Sequence, residues 1–297
     1  MTGSLSKKVG IASLIMMVSV FLSRVIGLFR EMVIAHIGGA EAPVDAYQVA
    51  FVIPDILNHI VASGFMSVTF IPIFARYLAA DQEDDGWKVF SIILKSFGCS
   101  LAVLILVAVT FTPQLIALIA PGLKNPATIA SAVRMTRIIL PAQLFFFVGG
   151  LLMAVQFSKE RFFIPALAPL LYNLGIISGG IILGPWIGME GFAWGVLIGA
   201  LIGNLLVQFF GVRKTGLQYF FIFNLGHPDL RKYVFLTLPL MIGMTMTFST
   251  EFFFRLFGSY LPQGSIAVLN FGLRIMLILV GLFGQAVGTA SFPFLAR

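Results

Sequence analysis

Residues Val9–Ile37 read VGIASLIMMVSVFLSRVIGLFREMVIAHI, apolar enough to cross a bilayer yet interrupted by Arg24, Arg30 and Glu31. A guanidinium near the centre of a spanning helix costs roughly 2.5–3.5 kcal/mol on insertion scales. Residues placed at that cost face a protein interior or a wet cavity, where they meet an opposite charge. The stretch predicts a membrane protein with a cationic internal cavity, and such a cavity implies an anionic passenger.

The rest of the chain fits that class. Of 297 residues, 59% are hydrophobic and only 10% charged, and the mean hydropathy is +1.01. A span needs about 20 mostly apolar residues. Eight stretches qualify: 9–37, 46–79, 88–118, 129–157, 162–184, 190–212, 231–259 and 265–294. The runs are continuous, without the period-two alternation of a transmembrane barrel. The expected fold is all-α and polytopic.

The net charge of +7 is no nucleic-acid signature, because its distribution follows the membrane. Lys7, Lys8, Arg76, Lys88, Lys159, Arg161, Arg213, Lys214, Arg231, Lys232 and Arg297 fall at one set of alternating span ends. The positive-inside rule then puts both termini in the cytoplasm. The loops near 39–45, 113–127, 185–190 and 260–264 face outward, and the acidic run Asp81–Asp85 is a solvated cytoplasmic loop. The first apolar stretch is too long, and too charged at its centre, for a signal peptide. Cys99 stands alone, which excludes an intrachain disulfide.

Val68–Arg76 (VTFIPIFAR) lines up with Thr289–Arg297 (TASFPFLAR). The second span thus resembles the eighth, an even number of helices apart, which is a parallel repeat about an axis along the membrane normal. The expected organisation is a six-span lobe over 1–214, a cytoplasmic linker over 215–230, and a partial second lobe over 231–297. A complete second lobe needs about four further helices by this symmetry, so the chain reads as shortened. The linker, with Tyr219-Phe-Phe-Ile-Phe223, reads as an interfacial helix or strand.

Two stretches near the N-terminus, Ser23-Arg24-Val-Ile-Gly27-Leu-Phe-Arg30-Glu31 and Val44-Asp45-Ala-Tyr-Gln-Val-Ala-Phe-Val-Ile-Pro54, resemble the MurJ (MviN) family of lipid II flippases. So do Ala62–Pro72, Phe162–Pro169 and Gly288–Pro293, in order along the chain. The family belongs to the multidrug/oligosaccharidyl-lipid/polysaccharide exporter superfamily. The resemblance implies two six-helix lobes plus two further helices, of which this chain supplies the first eight, in a bacterial inner membrane. It implies a passenger too, undecaprenyl-diphosphate carrying a disaccharide pentapeptide. Guanidinium groups suit that head group, because they bind phosphate and carboxylate oxygens bidentately.

Arg24 and Arg30 match the family's first-helix arginines, and Arg274 its second-lobe arginine. The first two lie about 120° apart and about 9 Å along the helix, so both line one cavity if the helix bends at Gly27. The alternative for Arg30 is a local pair with Glu31, which is also a gating candidate, or with Asp55. Asp45 matches an acidic gating position and equally reads as the N-cap of the second helix. Asp55 and His59 share one helical face. The family commonly has arginine where His59 stands, which makes the binding role of His59 either pH-sensitive or taken over by another arginine. Leu277 stands where the family can carry an acid near Arg274. Glu251 and Arg255 read as an intrahelical pair, and Asn173, Asn204 and Gln285 as interhelical hydrogen-bonding residues.

The sequence holds no GxxxxGK[ST] loop, zinc-spaced cluster or Ser/His/Asp set, and so predicts neither cofactor nor enzyme. The leading expectation is a lipid II flippase working by alternating access, with membrane lipids and cell-wall synthesis proteins as candidate partners. A cation-coupled exporter of the same superfamily is the alternative, though it calls for acidic rather than arginine-rich walls. A non-transporting scaffold for cell-wall enzymes is another.

Overall fold

Prolines and glycines set where the helices break and how closely they pack. The computed structural model describes residues 2–59, 64–277 and 280. The first helix, α1, runs Thr2–Gly38 and ends where Gly39 turns left-handed at φ 64°. At 37 residues it is about 55 Å long, well beyond the ~30 Å hydrocarbon core.

The second predicted span is divided into α2 (Ala42–Ala50), α3 (Val52–Leu57) and α4 (Gly64–Ala79). Pro54 causes the first break, because it has no N–H to offer the Ala50 carbonyl. The Thr136 hydroxyl donates to that carbonyl instead, at 3.3 Å. The third span, α5 (Glu83–Thr110), ends before a short α6 (Thr112–Ile119) rather than running on to 118. Pro113 orphans the Val109 carbonyl, which accepts from Thr112 Oγ1 at 3.0 Å and Arg137 Nε at 3.1 Å. These repairs use side chains from neighbouring helices, as buried irregular backbone requires.

The fourth span is α7 (Pro126–Ile139) and α8 (Ala142–Ser158), broken at Leu140-Pro141. The fifth is α9 (Phe163–Ile187). The sixth is α10 (Glu190–Ala200), a π turn at Leu201–Leu206, and α11 (Val207–Arg213). Glycines at four-residue spacing let α9 and α10 meet backbone to backbone. A Cβ at Gly175 would stand 2.4 Å from the Gly199 Cα, and one at Gly179 would stand 2.5 Å from the Gly195 Cα. This is the small-residue packing of membrane helices. Gly149 of α8 approaches the π turn so closely that a Cβ would lie 1.9 Å from the Asn204 carbonyl oxygen.

The inter-span linker is neither helix nor strand between Leu217 and Asn224. It passes over α5, with Phe220 N–H donating to Ser91 Oγ at 3.0 Å and Ile222 N–H to the Phe220 carbonyl at 2.9 Å. Leu217, Phe220 and Ile222 pack on the core, while Tyr219, Phe221 and Phe223 are exposed. The seventh span is α12 (Pro228–Gly258), whose N-cap His227 accepts from Asp229 N–H at 3.2 Å. It packs against α4 and α5. A last helix, α13, covers Ser265–Leu277.

Among the described residues five helices are each long and apolar enough to cross a membrane: Gly10–Gly38, Glu83–Thr110, Pro126–Ser158, Phe163–Ile187 and Glu190–Arg213. The eight predicted spans are thus not all met by this measure. The second is split, and the eighth passes out of the described residues after 277. The proposed repeat partner Thr289–Arg297, the Gly288–Pro293 motif, Gln285, and Ala62 and Ser63 lie outside the described residues.

Candidate polar site between the first, second, fifth, seventh and eighth spans

Arg30 lies on the α1 face that packs against α9, with its side chain 19% exposed. Its Nη2 donates to Glu31 Oε1 at 2.6 Å and its Nη1 to Asn173 Oδ1 at 2.9 Å. The pairing with Asp55 considered from sequence is absent among the described residues. Asn173 is itself held, donating to the Pro169 carbonyl at 2.9 Å and reaching Ser23 Oγ at 3.4 Å. Pro169 and Asn173 are one turn apart on α9, so the asparagine bridges two helices at a point where α9 carries an internal proline.

Arg24 remains exposed. Seven residues from Glu31, it lies about 20° round the same helix. Tyr47 of α2 and Tyr172 of α9 stand within electrostatic reach of both Arg30 and Arg274. Their rings are fixed edge-on, Tyr47 against Phe51 and Phe192 and Tyr172 against Phe146.

A second charged group adjoins the first. Asp55 of α3 lies within reach of Arg255, Glu251, His59 and Arg274. His59 Nδ1 lies 2.7 Å from the Asp55 carbonyl oxygen, one turn back. Arg255, almost fully buried, donates through Nη1 to Glu251 Oε2 at 3.2 Å, and through Nε to the Gln48 carbonyl of α2 at 2.9 Å. The intrahelical pair is present, therefore, and the same arginine also ties α12 to α2. Arg274 of α13 lies 4.0 Å from Glu251 Oε1. The acid beside Arg274 comes from α12, which answers the question raised by Leu277.

Several buried polar atoms here have no partner among the described residues: Arg30 Nε, Glu31 Oε2, Arg274 Nε and Asn270 Oδ1. Buried polar groups are nearly always satisfied; two of these atoms are guanidinium donors and two are acceptors, so the unmet capacity is of both kinds.

Asp45 differs from expectation in its partner. Glu41 is the N-cap of α2, and Asp45 sits in the first turn. Its carboxylate instead accepts from Gly264 N–H at 2.5 Å and Ala267 N–H at 2.8 Å. It therefore caps α13, more than 200 residues away, and joins the first turns of α2 and α13. The structure brings Arg30, Glu31, Asp55, His59 and Arg274 into one neighbourhood, and leaves Arg24 and Asp45 on its flanks. Sequence reasoning missed Tyr47 and Tyr172, polar-tipped rings inside apolar spans. It also gave no partner for Asn173.

Residues 34–297 match the family model described as lipid II flippase MurJ. The lipid II flippase MurJ of Burkholderia cenocepacia is 30% identical over 283 residues, 93% of this chain and 55% of that protein. A probable lipid II flippase MurJ of Aquifex aeolicus is 29% identical over 92% of this chain and 54% of its own length. The solved structure of a lipid II flippase MurJ in an inward closed conformation superposes with a TM-score of 0.77 at 25% identity, covering 93% of this chain and 57% of that one. The chain thus spans about half the length of the curated relatives it matches.

Proposed function

This chain belongs to the lipid II flippase MurJ family, and from that membership we propose that it takes part in moving lipid II from the inner to the outer leaflet. It is a multi-pass protein of the bacterial inner membrane. The carrying observation is the Arg30 arrangement: a guanidinium placed in an apolar span, held by Glu31 and Asn173, with Nε unpartnered among the described residues and with Tyr47 and Tyr172 as neighbours shared with Arg274. Such an array suits a diphosphate and its neighbouring carboxylates. An exporter of cationic compounds would call for acidic walls free of arginine, whereas here Glu31 and Glu251 are each paired with an arginine, Arg30 and Arg255.

In this reading Arg24, Arg30 and Arg274 hold the head group, with Asp55 and His59 beside them. Asp45 and Glu31 act at the gate. Both termini are cytoplasmic, which the alternating positive charge supports. Residues 1–214 act as one lobe, 215–230 as the linker and 231–297 as the beginning of a second lobe. Cell-wall synthesis proteins are the class of protein partner that such a passenger implies.

The test is outer-face lipid II in cells depleted of their own flippase and dependent on a full-length flippase carrying this sequence. Exposure to an externally added lipid II-cleaving enzyme is measured. Arg24→Ala with Arg30→Ala is expected to abolish exposure while membrane insertion persists, since removing charge from a span eases insertion. Undiminished exposure with both arginines replaced would overturn the reading.

A further inference from the structure

A cavity of about 1080 Å³ opens between α1, the turn joining α8 to α9, and the end of α11. It is separate from the arginine site and lies at span ends that carry the excess of Lys and Arg. Its walls are of two kinds. Ile11, Ile15 and Phe163 give an apolar side, with Ile11 and Phe163 largely exposed. Lys159, Glu160, Arg161 and Lys214 give a charged rim.

The rim charges are not equivalent. Lys159 is already engaged, bonding Glu83 and the Thr215 carbonyl. Arg161 and Lys214 form no ion pair among the described residues. With Glu160 as the one acid on the rim, they leave one net positive charge. Two further observations concern the same place. Gln156 is fully buried on the cavity's inner side, and its Nε2 donates to Gln208 Oε1 at 3.0 Å, while its own Oε1 has no partner among the described residues. Glu160 holds a left-handed φ of 58°, a conformation that costs a residue with a side chain on the order of 1–2 kcal/mol. That conformation is the usual stop of a helix, with Arg161 N–H donating to the Gln156 carbonyl at 2.8 Å and Glu160 N–H to the Phe157 carbonyl at 3.0 Å, and it leaves Arg161 at the rim.

From this geometry we infer that the cavity is a binding site for an anionic phospholipid, a phosphatidylglycerol-type molecule. The phosphodiester sits between Arg161 and Lys214, and an acyl chain lies against Ile11, Ile15 and Phe163. A phosphodiester carries one negative charge, which the rim's single net positive charge balances. Lipid II, with a diphosphate and peptide carboxylates, carries several and would be poorly matched. The apolar wall from Ile11 to Met16 spans about 7.5 Å, deep enough for the top of an acyl chain. Basic residues at this interface attract anionic lipid in just this way.

The experiment is native mass spectrometry of the purified chain in mild detergent, titrated separately with phosphatidylglycerol, phosphatidylcholine and lipid II. Phosphatidylglycerol is expected to be retained over phosphatidylcholine. Arg161→Ala with Lys214→Ala should weaken its retention by about tenfold or more, while lipid II retention stays within about twofold. The charge-keeping pair Arg161→Lys with Lys214→Arg should hold phosphatidylglycerol nearly as well, which separates lost charge from lost fold. Equal retention of the two phospholipids would overturn the proposal, as would phosphatidylglycerol retention indifferent to the alanine pair. Loss of lipid II in step with phosphatidylglycerol would assign the cavity to the flippase passenger and also overturn it.

Discussion

Arg30 shows how one charge is carried inside an apolar span. Two of its nitrogens are met, by Glu31 and by Asn173 on another helix, and the third is left open. Its residue type and depth were legible from sequence, since an arginine amid apolar residues needs a reason. Its partner was not, because Asn173 is 143 positions away and one polar residue in an apolar span points to no particular helix. Asp45 teaches the converse. Its chemistry as a cap was legible, but Glu41 and Pro43 start α2 a turn earlier and free its carboxylate for α13. Asn173→Ala should leave the Arg30 Nη1 donor unmet in a part-buried place, at a cost of about 1–3 kcal/mol. Thermal unfolding in detergent measures this, and an unchanged Tm would contradict the bridging role.

Helix type and order were legible at the scale of elements because hydropathy runs set them. Breaks were partly legible. Pro54, Pro113 and Pro141 each interrupt a span, but the side chains that repair them, Thr136 and Arg137, come from elsewhere in the chain. The close meeting of α9 and α10 was written in Gly175, Gly179, Gly195 and Gly199 at four-residue spacing, a signal available but unread. The linker misled. The apolar run Tyr219–Phe223 suggested an interfacial helix or strand, whereas the segment is irregular and is tied to Ser91 of α5.

Where α4 meets α12, Asp229 accepts from Arg76 at 2.6 Å and Tyr77 at 2.5 Å. Burial pushes the Asp229 carboxyl up, but these hydrogen bonds outweigh it and hold the carboxyl below its usual range. A depressed pKa gives stability that is present above the unfolded value, about 3.9, and is lost as pH falls through the folded value. Wild type should therefore exceed Asp229→Asn in Tm by a constant margin above about pH 5, and the margin should shrink below about pH 4. A margin unchanged down to about pH 3 would count against this contact as a source of stability.

Taken whole, the molecule presents much apolar surface. Only 6% of the most apolar window of α1 is buried, although the helix carries two of the three arginines assigned to the passenger. Family membership and helical class were readable from ordered motifs and composition. The joining of α12 and α13 to α2 through Arg255 and Asp45 was not, because each contact links positions more than 200 residues apart. The central claim is that Arg24, Arg30 and Arg274 together hold an anionic lipid-linked head group. The measurement is the affinity of the reconstituted chain for lipid II, set beside undecaprenol, which has the tail without the charge. The account predicts that lipid II binds and undecaprenol does not, and that replacing all three arginines by glutamine weakens lipid II binding by about tenfold or more, since each lost charge-assisted pair is worth on the order of 1.5–3 kcal/mol. Equal binding of the two lipids, or lipid II affinity unchanged in the triple variant, would contradict it.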